Sequence, residues 1–181
     1  MKQRGSNRGA QRRPPTPVLT IGLGLLGFAL ILVALWIVRP DGVSGPSNGP
    51  VVINNTAVPP VPTLDPQRVA TGETLYAQYC AACHGADLRG AADWKQRLPS
   101  GALPPPPHDD SGHTWHHPDD QLLSIVANGG DPAYNGVMPG FANTLTPDQM
   151  AAILDYIKSH WRRDSREYQW WMTVVTRGGT P

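Results

Sequence analysis

The sequence predicts a small all-α domain over residues 67–163. No run in this region alternates between apolar and polar residues as a half-buried strand would. Three segments instead begin with a capping residue beside a proline and continue with apolar residues at helical spacing: Asp65-Pro66, His117-Pro118-Asp119 and Thr146-Pro147. Once the terminal and linker segments are set aside, the 181 residues leave room for one domain of about a hundred residues.

The N-terminal segment predicts a membrane anchor. Residues 1–17 carry five basic side chains and no acidic one, and residues 18–38 are an uncharged apolar run. As a helix this run would be about 31 Å long, which matches the hydrocarbon thickness of a bilayer. The basic tail places the N-terminus in the cytoplasm and the rest of the chain on the periplasmic or outer face of the cytoplasmic membrane. A cleaved signal peptide is the alternative, but the run exceeds the usual apolar length of such peptides and no A-x-A site follows.

Residues 39–66 predict a flexible linker between the anchor and the domain. They are rich in Pro, Gly, Ser and Asn and show no sustained apolar period. A flexible chain of this length would average about 30 Å from end to end. The linker would therefore keep the domain near the membrane while letting it adjust its position.

The helices of the domain are predicted from Asp65-Pro66 through Tyr79, in a short segment opened by residues 117–120 and closed by residues 128–130, and from Thr146-Pro147 onward. Thr146 and Gln149 have the spacing of a capping box at the start of the last helix. Residues 85–116, between the first two helices, form a long irregular stretch, which is unusual in a compact domain unless it wraps a cofactor.

The motif Cys80-x-x-Cys83-His84 admits four interpretations. A disulfide would leave His84 without a role, and a thioredoxin-type dithiol would follow a strand, whereas here a helix precedes the motif. The motif favours the third interpretation, one covalently bound haem c, with both thiols attached and His84 as an axial iron ligand. The fourth, a zinc site, would need two further ligands from the chain's other histidines, such as His108, His113, His116 and His117.

Met138 is the predicted second axial ligand of the haem iron. It lies in the loop 135–141, followed by Pro139, where a methionine that only fills a core would be unusual. Met150 fits a core position, and Met172 lies in the tail. A neutral thioether favours ferrous iron and raises the reduction potential.

The segments YCAACH, MPGF and LTPDQMAAILDYIKSHW together resemble the class I (mitochondrial-type) cytochrome c domain, over residues 67–163. The resemblance implies that the first and last helices cross where Gly72 and Tyr76 face Ile153 and Tyr156. It also implies that one carbonyl among residues 104–107, all prolines, accepts the Nδ1 proton of the proximal histidine.

The chain departs from the simplest members of that family in two segments. In the Pro- and His-rich insertion, we expect Trp115 or a neighbouring histidine near the haem edge or its propionates. The tail, residues 164–181, holds clustered apolar residues, and we interpret it as a docking strand or arm for a partner complex. The alternative is that the tail packs on its own domain.

The function expected from these features is single-electron transfer by a carrier that is not itself an enzyme. Residues 67–163 hold seven Lys and Arg against ten Asp and Glu, so a tether would replace charge steering toward partners. The expected partner is a quinol-oxidising complex, a reaction centre or a terminal oxidase, with the chain as a permanent subunit or a tethered shuttle. A soluble electron acceptor is a further possible partner, and the net charge of +1 gives no attraction to nucleic acid.

The layout resembles that of the monohaem cytochrome subunit of alternative complex III. The rival function is a haem sensor or peroxidase-like protein whose sixth ligand is displaceable. A filled sixth position at Met138 argues against that rival, because it blocks the binding of gases and peroxide.

Overall fold

Five helices and a short hairpin make up residues 49–178, which are the residues that the computed structural model describes. These residues lie within one compact unit. The hairpin comes first, then the helices, with 3-10 turns at Thr114–His116 and Pro132–Tyr134. The elements in chain order are β1 Val51–Ile53, β2 Thr56–Val58, α1 Pro66–Tyr79, α2 Ala81–His84, α3 Asp119–Asn128, α4 Pro147–Ser159 and α5 Arg163–Thr176.

The predicted basic tail, 1–17, and the predicted anchor, 18–38, lie outside the described residues. Among residues 49–178, no helix has both the length and the apolar character needed to cross a membrane.

The three predicted helix starts are confirmed. At α1 the Asp65 carboxylate accepts the Gln67 backbone N–H at 2.9 Å, and α3 begins directly after Pro118. At α4 the capping box is complete, because Thr146 Oγ1 accepts the Gln149 N–H while Gln149 Oε1 accepts the Thr146 N–H. Each cap satisfies amide groups that the first helical turn leaves without a partner.

The crossing of α1 and α4 forms the centre of the main core. A Cβ atom on Gly72 would lie 2.0 Å from the carbonyl oxygen of Ala152, so only glycine lets the two backbones come this close. One turn later the Tyr76 and Tyr156 rings meet with their centroids 5.3 Å apart. The contact predicted from the family resemblance is therefore present. The buried apolar side chains of this core are Tyr76, Leu88, Leu122, Leu145, Met150, Ile153, Leu154, Tyr156, Ile157 and Trp161.

The hairpin lies inside the segment that the sequence predicts as linker, and residues 51–58 correct that prediction. β1 and β2 pair antiparallel, with Val51 opposite Val58. The two turn residues, Asn54 and Asn55, have φ angles of 51° and 60°. Asparagine tolerates such angles, and two of them in succession give the tight turn whose twist matches a two-stranded ribbon.

The C-terminal tail also differs from its predicted role as a docking strand or arm. Its residues 164–176 lie in α5, and apolar side chains of this helix pack against the hairpin in a second small core. Trp170 donates its indole N–H to the Pro59 carbonyl at 2.8 Å, and Trp171 donates to the Thr56 carbonyl at 3.1 Å. The alternative that the tail packs on its own chain is the one that the structure supports.

Candidate haem site

The Cys80–His84 segment forms a single helical turn directly after α1. The amides of Cys83 and His84 both donate to the Cys80 carbonyl, at 3.1 and 3.0 Å. These hydrogen bonds close one helical turn, which places Cys83 three and His84 four positions after Cys80. Both thiols are free, with Cys80 half-buried and Cys83 exposed. Burial, and secondarily the nearby Cys83, raises the pKa of Cys80 to about 11, which keeps this sulfur protonated at neutral pH.

His84 is buried and its ring is held by one hydrogen bond. Nδ1 lies 2.8 Å from the carbonyl oxygen of Pro106. Since a carbonyl oxygen can only accept, Nδ1 carries the proton, and Nε2 of the neutral ring keeps its lone pair. Burial lowers the pKa of His84 and outweighs the opposing effect of this hydrogen bond. The ring therefore presents a neutral nitrogen that is able to ligate a metal, and Pro106 is the proline among residues 104–107 that the sequence could not single out.

The irregular stretch after His84 is tied to this turn through backbone hydrogen bonds. The Gly90 amide donates to the His84 carbonyl at 2.7 Å, and the Ala91 amide donates to the Pro105 carbonyl at 2.9 Å. Gly90 has a φ of 59°, and a Cβ there would lie 2.6 Å from the Pro105 oxygen. This close approach brings the proline run alongside the imidazole.

His108 is a residue of the site that sequence reasoning treated only as a possible zinc ligand. Its ring stacks on the His84 ring, with centroids 4.0 Å apart and planes at 26°. Burial, with the neighbouring His84 and His113 adding to it, lowers the pKa of His108 to about 3. The ring is therefore neutral. Its position directly after the proline run was the available signal, but the stacking itself depends on tertiary packing.

Met138 lies in a loop that is fixed by its backbone to the end of α3. The Gly130 amide donates to the Met138 carbonyl at 2.9 Å, and the Phe141 amide donates to the Val126 carbonyl at 3.0 Å. The Phe141 ring also meets the ring of Tyr79, the residue before Cys80, with centroids 6.0 Å apart. The Met138 loop is thereby placed beside the end of α1, and the Met138 side chain is half-buried.

Two buried nitrogen atoms test whether the site fits a haem. Among the described side chains, Trp115 Nε1 and His113 Nδ1 are buried and lack a hydrogen-bond partner. A buried N–H without a partner is costly, so such groups commonly face a ligand or an ordered water. A haem carries two propionate carboxylates, which can accept from the Trp115 indole N–H and from His113 in the tautomer that carries its proton on Nδ1. The two thiols, the free Nε2 of His84 and these nitrogens together fit a haem.

The zinc interpretation finds no support in the geometry. Within residues 49–178, no group of three or more Cys, His, Asp or Glu side chains is arranged to hold a metal ion. His113 instead stacks on Trp94, with centroids 5.1 Å apart, and His116 meets Trp115 edge to face at 3.9 Å.

Similar proteins were found in three comparisons. Residues 67–157 match the protein family described as cytochrome C oxidase, cbb3-type, subunit III. The chain is 33% identical over 96 residues to the Cbb3-type cytochrome c oxidase subunit CcoP of Rubrivivax gelatinosus, covering 52% of this chain and 27% of that protein. It is 29% identical over 127 residues to the quinohemoprotein alcohol dehydrogenase ADH IIB of Pseudomonas putida, covering 70% of this chain and 15% of that protein.

Among solved structures, cytochrome CL of the marine methylotrophic bacterium Methylophaga aminisulfidivorans matches with a TM-score of 0.44 and 20% identity, over 61% of this chain and 69% of that one. The matches to the two curated relatives span only about a quarter and about a seventh of their lengths. The family match covers half of the present chain and includes the Cys80–His84 turn and both crossing helices. The chain therefore belongs to the family described as cytochrome C oxidase, cbb3-type, subunit III, with a class I-like cytochrome c domain.

Proposed function

We propose that this protein carries single electrons on one covalently bound haem c, with His84 and Met138 as the axial iron ligands. The observation that carries the proposal is the hydrogen bond of His84. Its Nδ1–H donates to the Pro106 carbonyl, which leaves the lone pair of Nε2 free to bind iron. Bound haem supplies the one-electron chemistry of iron. The chain attaches it, orients its ligands and limits the access of water.

Attachment uses the two thiols of the helical turn. Each sulfur would add to one carbon of a haem vinyl group, with the thiol hydrogen going to the other carbon. Cys80 and Cys83 would thus hold the haem by two thioether bonds without consuming an external oxidant or reductant. The free state of both thiols and the single helical turn that joins Cys80 to Cys83 and His84 support this assignment.

Met138 is proposed to fill the second axial position. The backbone hydrogen bonds between its loop and the end of α3 limit how far the Met138 sulfur can move away from the proposed iron position. A filled site favours a carrier over an enzyme, because substrates such as peroxide would have no open position on the iron. Trp115 and His113 are proposed to donate hydrogen bonds to the propionates.

The proposed partner is a membrane oxidoreductase complex. One curated relative is named as a subunit of a cytochrome c oxidase and another as a quinohaemoprotein dehydrogenase, which supports a partner of this general kind. A quinol-oxidising complex, a reaction centre or a terminal oxidase fits this description. The apolar run 18–38 and the basic residues before it support anchoring in the cytoplasmic membrane, with the haem domain on its outer face.

The experiment that tests this function is an absorption spectrum of the full-length protein purified from its native membrane. We expect a c-type reduced spectrum, a weak ferric methionine–iron charge-transfer band and no change when carbon monoxide is added to the reduced protein. A spectral shift with carbon monoxide would mean a displaceable sixth ligand, and the sensor or peroxidase-like function would replace electron transfer. A colourless protein would exclude both.

A further inference from the structure

The proximal imidazole has a second contact besides its hydrogen bond to Pro106. The His108 ring covers one face of the His84 ring, with a centroid separation of 4.0 Å and an interplanar angle of 26°. This distance is that of two rings in van der Waals contact, so no water fits between them. One face of the proposed iron ligand is therefore closed by a flat side chain.

His108 is itself held at its backbone and at its ring. Its amide donates to the Leu88 carbonyl at 2.7 Å, and its carbonyl accepts the Trp161 indole N–H at 2.7 Å. Its Nδ1 lies 2.9 Å from Thr114 Oγ1. The Thr114 hydroxyl donates its own proton to the Pro107 carbonyl at 3.3 Å, so the hydroxyl oxygen accepts from His108 Nδ1–H.

The groups that hold His108 are rigidly placed. Leu88, Trp161 and Thr114 are 2%, 6% and 7% exposed. They come from three separate parts of the chain, namely the turn after α2, the residues just past α4 and the 3-10 turn at Thr114–His116. The His108 ring therefore cannot follow a movement of His84 without disturbing buried contacts.

The two contacts of His84 restrain different motions. A hydrogen bond in the plane of the ring still allows the ring to turn about the line from N–H to the acceptor. A second ring stacked on its face blocks that turn. Pro106 and His108 together therefore restrain both the direction and the plane of the imidazole.

We infer that His108 is a positioning residue for His84, which fixes the plane of this ligand ring and shields its Nδ1–H bond from water. The inference rests on the proposed ligation of iron by His84. Groups that orient a ligating histidine also tune the metal, so the plane of the ring has electronic consequences.

The test uses the full-length haem-loaded protein and two NMR measurements. The first is the hydrogen exchange rate of His84 Nδ1–H in the reduced state. The second is the spread of the haem methyl resonances in the ferric state, which depends on the plane of the axial imidazole. His108→Leu removes the flat ring, and His108→Phe keeps a flat ring without the Thr114 hydrogen bond. His160→Leu is the matched control, because His160 also packs on a buried tyrosine ring, at 4.6 Å from Tyr156.

We expect His108→Leu to speed the exchange by at least about tenfold, the factor that corresponds to about 1.4 kcal/mol of lost protection. The methyl spread should change with it. His108→Phe should restore both values toward those of the unsubstituted protein, and His160→Leu should leave both unchanged. If His108→Leu keeps the original exchange rate and methyl spread, His108 only fills space and the inference fails.

A second variant keeps the test decisive if His108→Leu does not fold. His108→Gln keeps a side-chain N–H that can donate to Thr114 Oγ1 but removes the flat ring. We expect faster exchange in this variant, as in His108→Leu, and an unchanged rate would overturn the inference. Failure of the proposed function can be told apart from failure of this inference. In that case the unsubstituted protein itself would lack the absorption spectrum of a histidine-ligated c-type haem.

Discussion

Replacing Gly72 by alanine tests two opposite expectations about the stability of the protein. In an exposed helix the change would stabilise the protein by about 1 kcal/mol, because alanine has the higher helix propensity. At this position the added Cβ would lie 2.0 Å from the Ala152 oxygen and 2.6 Å from the Ala152 carbonyl carbon. We therefore expect destabilisation, because the new methyl group meets the backbone of α4, which cannot rotate away.

The size of the effect follows from the distance that the helices must move. Cβ contacts shorter than 3.0 Å essentially never occur, so Ala152 must retreat by at least 1.0 Å, the difference between 3.0 and 2.0 Å. The rings of Tyr76 and Tyr156, one turn away, would separate with it. Overpacking in cores typically costs about 1–3 kcal/mol, and an obstacle made of backbone places Gly72→Ala near 3 kcal/mol. For a domain of this size that corresponds to a fall in Tm of roughly 10–15 °C.

The assay is thermal unfolding of the haem-loaded protein, followed by far-ultraviolet circular dichroism. Gly49→Ala is the control, because a Cβ at Gly49 would meet no atom within 4 Å. We expect the control to unfold within about 2 °C of the original protein, as surface substitutions usually do. An equal or higher Tm for Gly72→Ala would show that the helices do not cross at this glycine.

Three further variants test the haem site. Met138→Ala should leave the haem attached but lower the reduction potential and admit carbon monoxide, as measured by redox titration and absorption spectra, and an unchanged potential would remove Met138 from the site. Replacing both Cys80 and Cys83 by alanine should abolish covalent haem, so haem that survives denaturing electrophoresis would contradict the attachment. Trp115→Phe should cost about 1.5–3 kcal/mol in urea unfolding of the haem-loaded protein if its indole N–H donates to a propionate, and equal stability would show that it does not.

The helices and the core of the site could be predicted because their signals are local. The capping residues of α1 and α4 act within three positions of the helix start, and the Cys80–His84 motif is contiguous. Hydrogen bonds across the irregular loop, such as the one from the Ala91 amide to the Pro105 carbonyl, determine which proline carbonyl accepts from His84. No local pattern encodes those contacts, so the four prolines looked equivalent in the sequence.

The sequence did not predict the hairpin or α5, because neither segment has a local pattern that identifies it without its tertiary contacts. Strands of three residues are too short for alternation to be recognised, although two β-branched runs separated by Asn54-Asn55 are typical of a hairpin. The tail looked like an unpartnered apolar segment because its partners are distant in sequence. Trp171 bonds to Thr56, 115 positions earlier. Only the tertiary structure shows that the two segments cover each other.

The hairpin also changes what the predicted tether can do. Between the end of the predicted anchor at residue 38 and the first strand at residue 51 there are 12 residues, compared with 28 in the linker predicted from the sequence. If the linker is the flexible chain that the sequence predicts, 12 residues would average about 19 Å from end to end, and 28 residues would average about 29 Å. The shorter distance favours a permanent subunit over a shuttle that swings between partners.

Inserting 16 Gly and Ser residues after Gly49 restores the longer distance and tests this argument. For a tethered shuttle the effective concentration at its partner falls with the −3/2 power of linker length, so the rate should fall about 3.6-fold. For a permanent subunit the haem domain is held by its own interface, and the rate should stay the same, which is the result we expect. The measurement is flash-induced electron transfer in native membranes, with substitution of residues 40–48 by an equally long Gly and Ser segment as the control. A fall of about 3.6-fold in the insertion variant alone would refute the subunit arrangement and identify a shuttle.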